Sequence, residues 1–268
     1  MSTEERLTNG STISIFSPQN AASTKYVLYF HGGGLIYGSR NDLPIALRKL
    51  FLNQGYTVIT LDYLLAPNSP LVDISAALYE TFKEINNRYI KHSPFIFCGR
   101  SAGGYLMLLL TKKIMTTQEQ LPEKLINFYG YFNLDFIENQ KDNGHPAIPE
   151  EAIHNLPITE PIWDDPQLQR SLLYIYGIQH KKLYEYYGVE KEDQTNFSLT
   201  ENEISALPPI FSTASTSDQE VPFKYSKQLG KKNKAGVFTP VYFLEHDFLN
   251  HTEDEQTQDV LKKLDDWL

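Results

Sequence analysis

Short apolar runs recur along the chain, each followed by a longer stretch with apolar positions at helical spacing. Lys25 to Phe30 (KYVLYF) is aromatic and β-branched and runs into His31-Gly32-Gly33-Gly34, which predicts a buried strand feeding a glycine loop. Asn41 to Leu52 then carries Leu43, Ala46, Leu47 and Leu50 near helical spacing. Thr57 to Tyr63 predicts a second strand, and Ser69 to Ile90 a long helix with Asp73 near its start. Phe95 to Cys98 predicts a third strand, followed at once by Gly99-Arg100-Ser101-Ala102-Gly103-Gly104 and a helix from Tyr105 to Met115. Leu125 to Tyr129 predicts a fourth. Two more fall at Pro209 to Ala214 and Pro240 to Glu245, with helices over Pro222 to Lys234 and Glu253 to Leu268.

After the fourth of these strands the rhythm stops. From about residue 130 to about 205 the chain carries prolines at 146, 149, 157, 161 and 166 together with Trp163, Tyr174, Tyr176, Tyr184, Tyr186 and Tyr187. A structureless loop of that length is uncommon inside a compact domain, so the stretch predicts a mostly helical cap inserted into one domain spanning 1–268. Near-continuous apolar strands alternating with helices predict an α/β fold, a mainly parallel central sheet with helices on both faces. In such sheets functional groups gather beyond the carboxyl ends of the strands.

Composition narrows the partners. With 33 acidic against 24 basic residues, and no basic stripe to neutralise phosphates, neither nucleic acid nor an anionic membrane is an expected partner. The single cysteine, Cys98, excludes an intramolecular disulfide, a cysteine-based zinc site and a Cys-x-x-Cys redox pair. Its place in a strand predicts a small buried core residue. No apolar stretch nears the ~20 residues of a membrane span. Met1 to Gly10 is polar with two glutamates, unlike an export signal, so a cytoplasmic location is expected. On that expectation the Asn-x-Ser/Thr triplets at Asn9, Asn196 and Asn250 are chance matches. Assembly as a homodimer is left open.

The strongest local motif is Gly99-x-Ser101-x-Gly103 between a predicted strand and a predicted helix. A serine on so tight a turn needs small neighbours, and the helix it begins favours developing negative charge. A serine hydroxyl is a weak nucleophile, so this reading also demands a base and a group to orient that base. The glycines after His31 let backbone N–H groups point into a cleft, as an oxyanion requires. One such donor is worth roughly 2.7 to 4 kcal/mol in the transition state. His31 itself is expected to hold its loop by hydrogen bonds.

HGGG at 31–34, DYLLAP at 62–67, GRSAGG at 99–104, D-x-x-V-P at 218–222 and HDF at 246–248 follow one another in an order and spacing that resembles the hormone-sensitive-lipase-like branch of the α/β-hydrolases. The resemblance covers the chain from about residue 25 to the end. Members of that branch usually read DYRLAPE where this chain has Asp62 to Asn68, and commonly GDSAGG where it has Arg100; both departures bear on substrate range. The resemblance implies the α/β-hydrolase fold with a cap after the sixth core strand. It also implies N-terminal cap helices, for which the short stretch before Lys25 leaves little room, so a more open pocket is expected.

α/β-hydrolases place the acid and then the histidine after the serine. Asp218 lies after the strand Pro209 to Ala214 and His246 after Pro240 to Glu245, so Ser101, Asp218 and His246 are the expected catalytic set. Glu220 is the rival acid and His251 the rival base. His92, His145, His154 and His180 are expected at the surface. The resemblance implies Gly32, Gly33 and Ala102 as oxyanion donors, an acyl-enzyme released by water, and no metal or organic cofactor. The expected function is a serine hydrolase of carboxylesterase type acting on small-molecule esters. An amidase or peptidase of the same fold, or a catalytically silent binding protein, are the alternatives.

Overall fold

In the computed structural model, which describes residues 2–18, 24–142, 144–154, 156–157 and 159–268, the six apolar runs join two further N-terminal strands in one eight-stranded sheet. In chain order the elements are β1 (Ser2–Arg6), β2 (Thr12–Phe16), β3 (Tyr26–Phe30), α1 (Ile45–Asn53), β4 (Thr57–Leu61), α2 (Leu71–Ile85), β5 (Phe95–Arg100), α3 (Ala102–Thr117) and β6 (Lys124–Phe128). There follow α4 (Glu150–His154), α5 (Ser171–Gln179), α6 (Leu183–Tyr187), α7 (Glu201–Ala206), β7 (Ile210–Ser215), α8 (Lys224–Lys232), β8 (Val237–Val241) and α9 (Glu255–Trp267). The strand order is β1-β2-β4-β3-β5-β6-β7-β8. Pairing is parallel from β4 through β8 and antiparallel where β1 and β2 join.

The strands read as unbroken apolar runs because both faces of the sheet are covered. Alternate residues go to opposite layers. Leu28, Phe30, Phe95 and Phe97 pack with Leu78 and Phe82 of α2 and Leu106 of α3. Val27, Tyr29, Ile96 and Cys98 pack with Leu47 and Phe51 of α1 and Val260 and Leu264 of α9. Cys98 is thus a buried core residue as expected, and burial pushes its thiol pKa well up.

Three expectations need correction. Residues 2–16 carry two strands that the periodicity does not reveal: β1 is the exposed polar run STEER, paired only along one side. The last strand lies at Val237–Val241 rather than 240–245, because Tyr242 and Phe243 project into solvent, the latter 85% exposed, and Phe243 turns the chain at φ 61°. Finally, the stretch between β6 and β7 is less helical than expected. Its helices α4 to α7 are short, and its seven prolines all fall outside them, where their missing N–H and fixed φ stop helix growth. Among the described residues, no helix is long and apolar enough to cross a membrane.

Candidate active site

β5 delivers Ser101 to a turn that only close backbone packing permits. Ser101 sits at φ 49°, ψ −121°, between the last residue of β5 and the first of α3. A side chain with φ in this region is strained, and such strain persists only when the surroundings impose it. Here the glycines supply the room: a Cβ on Gly99 would lie 2.6 Å from the backbone of Gly103 and Gly104, and one on Gly103 2.2 Å from the carbonyl oxygens of Phe30 and His31. The motif therefore lets α3 start directly against β3 and β5.

Three loops beyond the sheet's carboxyl edge converge on this serine. His246 Nε2 lies 2.9 Å from Ser101 Oγ, and its Nδ1 lies 2.6 Å from Asp218 Oδ2. Asp218 is fixed in turn, since its Oδ1 accepts the N–H groups of Glu220 and Val221, each at 2.9 Å. The Asp218 side chain is closed off from solvent and the imidazole is 6% exposed. Burial alone would lower the imidazole pKa. The charge and hydrogen bond of Asp218, with the charges of Glu220 and Asp247, overcome that and push it up to about 9. Tyr129 packs its ring 4.7 Å from the imidazole. Of the rivals, Glu220 lines the cavity but makes no hydrogen bond to His246, and His251 is exposed beside Glu253. His92, His145, His154 and His180 are exposed as expected.

The register Phe30↔Gly99 between β3 and β5 brings the glycine loop beside the serine turn. One expectation fails in part there. The N–H of Gly32 donates to Asp42 Oδ2 at 3.2 Å, so Gly32 anchors the loop instead of facing the serine with a free donor. Among the described residues the N–H groups of Gly33, Gly34 and Ala102 have no protein acceptor. His31 is buried and serves the loop as anticipated, with Nδ1 2.7 Å from the Gly32 carbonyl and its ring stacked on Tyr63 at 4.0 Å. Burial lowers its pKa. A cavity of about 250 Å³ lies over the serine, lined by the three glycines, Tyr37, Leu168 and Glu220 among others.

The two departures from the family pattern have structural partners that the sequence did not reveal. Arg100 is buried and donates to Asp247 Oδ1 at 2.9 Å, to Asn250 Oδ1 at 3.3 Å and to the Asp42 carbonyl at 3.1 Å. Asn68 accepts from Arg170 at 2.7 Å and donates to the carbonyls of Pro157 and Glu160. Arg170 also donates to the carbonyls of Ile36 and Ala66, at 2.8 and 2.7 Å, so it ties the stretch after β6 to the loops after β3 and β4. No local motif signals these contacts, because their partners lie from 58 to 150 residues away in sequence.

A parallel sheet with a serine turn after β5, an acid after β7 and a histidine after β8 defines an α/β-hydrolase architecture. A family model described as alpha/beta hydrolase fold matches residues 27–166, and the chain belongs to the α/β-hydrolase family. A solved alpha/beta hydrolase superfamily protein from Enterococcus faecalis is 45% identical, with a TM-score of 0.96 over 100% of this chain and 98% of that one. An esterase from the bacterial hormone-sensitive lipase family shares the fold at 17% identity and TM-score 0.71, over 100% of this chain and 83% of that one. Among curated proteins, an esterase of Acinetobacter venetianus is 29% identical over 114 residues, which is 42% of this chain. The matched stretch spans only 38% of that relative's length.

Proposed function

We propose that the protein is a carboxylic ester hydrolase of the serine type, acting on small esters. The observation that carries this reading is the hydrogen-bonded line from Ser101 through His246 to Asp218. In the proposed reaction His246 takes the proton of Ser101 Oγ as the oxygen attacks the ester carbonyl, and Asp218 orients and stabilises the imidazolium. Gly33 and Ala102, with Gly34 beside them, offer N–H groups to the oxyanion. His246 then returns the proton to the departing alcohol, leaving an acyl-Ser101. A water deprotonated by His246 then attacks the acyl carbon, and as the bond to Ser101 Oγ breaks the imidazolium returns its proton to that oxygen and the carboxylic acid departs. The residues between β6 and β7 act in this reading as a cap, since Leu168 lines the cavity that holds Ser101, and Tyr187 and Arg170 bond the carbonyls of Gly34 and Ile36 in the loop after β3. A cavity near 250 Å³ suits short acyl chains.

Hydrolysis of short-chain p-nitrophenyl esters is the expected activity, and Ser101→Ala should lower kcat by roughly 10⁴-fold or more. Robust hydrolysis by that variant, or failure of a fluorophosphonate to label Ser101, would overturn the reading. The base must be unprotonated to act. With His246 near 9, kcat/KM should therefore fall about tenfold per pH unit as pH drops below that value, and a pH–rate series checks it.

A further inference from the structure

Arg100 stands where the resembled family commonly carries aspartate, one residue before the nucleophile, and its guanidinium reaches parts of two other loops at the site. Asp247 and Asn250 belong to the loop that carries His246. Asp42 belongs to the turn whose carboxylate holds the Gly32 N–H. We propose that Arg100 is a positioning residue for the hydrolysis put forward above: it locks the serine turn, the glycine loop and the histidine loop into one register, and it offsets the charge of Asp247 beside His246.

Geometry supports the first half. The guanidinium is a planar fork with donors in several directions, and here it serves a carboxylate, an amide and a backbone carbonyl at once, which the single ammonium of lysine does less well. It also lies over the face of Tyr129, 6.0 Å from the ring centroid, and the same ring packs against His246 and Phe248. Small shifts of Arg100 therefore reach the imidazole by two routes.

Charge placement supports the second half. The groups facing His246 are Asp218 and Glu220 from the loop after β7, Asp247 from its own loop, and Tyr129 from beyond β6; Arg100 of β5 touches Asp247 and Tyr129. Apart from His246 itself, Arg100 is the one basic side chain among the described residues lining the cavity, set against Asp42, Glu220 and Asp247. Without it the negative charge beside the imidazole would stand alone and hold the proton on the base.

The test needs no natural substrate. The second-order rate of Ser101 labelling by a fluorophosphonate is followed against pH in the full chain. Asp247→Asn, which removes a negative charge next to the imidazole, should move the acid limb to lower pH. Arg100→Met should move it up by about one unit and reduce the plateau rate by roughly 100-fold. Arg100→Lys should keep the limb near its original position while the plateau stays low. In the double variant Arg100→Met with Asp247→Asn, the limb should return toward the starting value. A purely structural arginine would lower the plateau of Arg100→Met and leave its limb in place, and that result overturns the proposal. Should Arg100→Met fail to fold, an unmoved limb in Asp247→Asn is sufficient to overturn it. No labelling of the unaltered protein would instead defeat the hydrolase reading on which the proposal rests.

Discussion

Between β3 and β6 the chain buries apolar side chains on both faces of the sheet, whereas from 130 to 206 it joins one of those apolar layers, through residues such as Phe132, Leu173 and Ile204, and adds hydrogen bonds from Arg170 and Tyr187 to the loops after β3 and β4. Phe97, fully buried, meets Phe30, Phe82 and Phe95 at centroid distances of 5.2 to 5.7 Å. Arg170 makes four hydrogen bonds to carbonyls and to Asn68, and the hydroxyls of Tyr187, Tyr184 and Tyr105 donate to the carbonyls of Gly34, Leu134 and Phe197. The first kind of attachment scales with buried area and tolerates little loss. The second depends on a few directional contacts, each worth only about 1 kcal/mol net unless a charge is involved. One protein thus joins a core with two apolar layers to a segment that shares one of those layers and also grips the loops at the site through particular donors.

The largest effect that would probe this contrast is Phe97→Ala, expected to cost about 4 kcal/mol in denaturant unfolding and to shift the whole transition without splitting it. Arg170→Ala comes next, at about 3 kcal/mol, because it leaves the buried carbonyls of Ile36 and Ala66 without this donor. Its signature should be local: limited proteolysis should cut within 130–206 before any cut appears between β3 and β6, and ester hydrolysis should fall in parallel. Cuts spread evenly over both regions would break the comparison. Tyr187→Phe removes one hydroxyl from a fully buried ring and should cost about 1 kcal/mol. If its hydrolysis rate falls more than its stability does, the Tyr187 bond to Gly34 acts on the glycine loop rather than on the segment alone.

The same contrast explains what could be read from the amino-acid sequence. β3, β4, β5 and β6 announce themselves because a strand covered on both faces is an almost unbroken apolar run. β1 does not, since an exposed edge strand needs no apolar face, and STEER reads as a polar terminus. The run Tyr242 to Leu244 resembles a strand, yet Tyr242 and Phe243 face solvent, and apolar residues at a surface carry no label. At the site, Ser101, Asp218 and His246 stand beside local motifs and strand ends, and the fold brings their side chains within hydrogen-bond distance. The engagement of Gly32 by Asp42, and the partners of Arg100 and Arg170, are tertiary contacts with no local pattern. They became visible only with the loops in place.

The two rims of the sheet bear on how copies of this chain can meet. At one rim β1 presents Glu4, Glu5 and Arg6 along an exposed strand, with Glu5 held by Arg88 and Tyr89. At the other, β8 carries Pro240, which has no N–H to offer an incoming strand. Charges and proline are the means by which sheet edges refuse further pairing. Both rims of the sheet thus carry features that discourage pairing with a further strand.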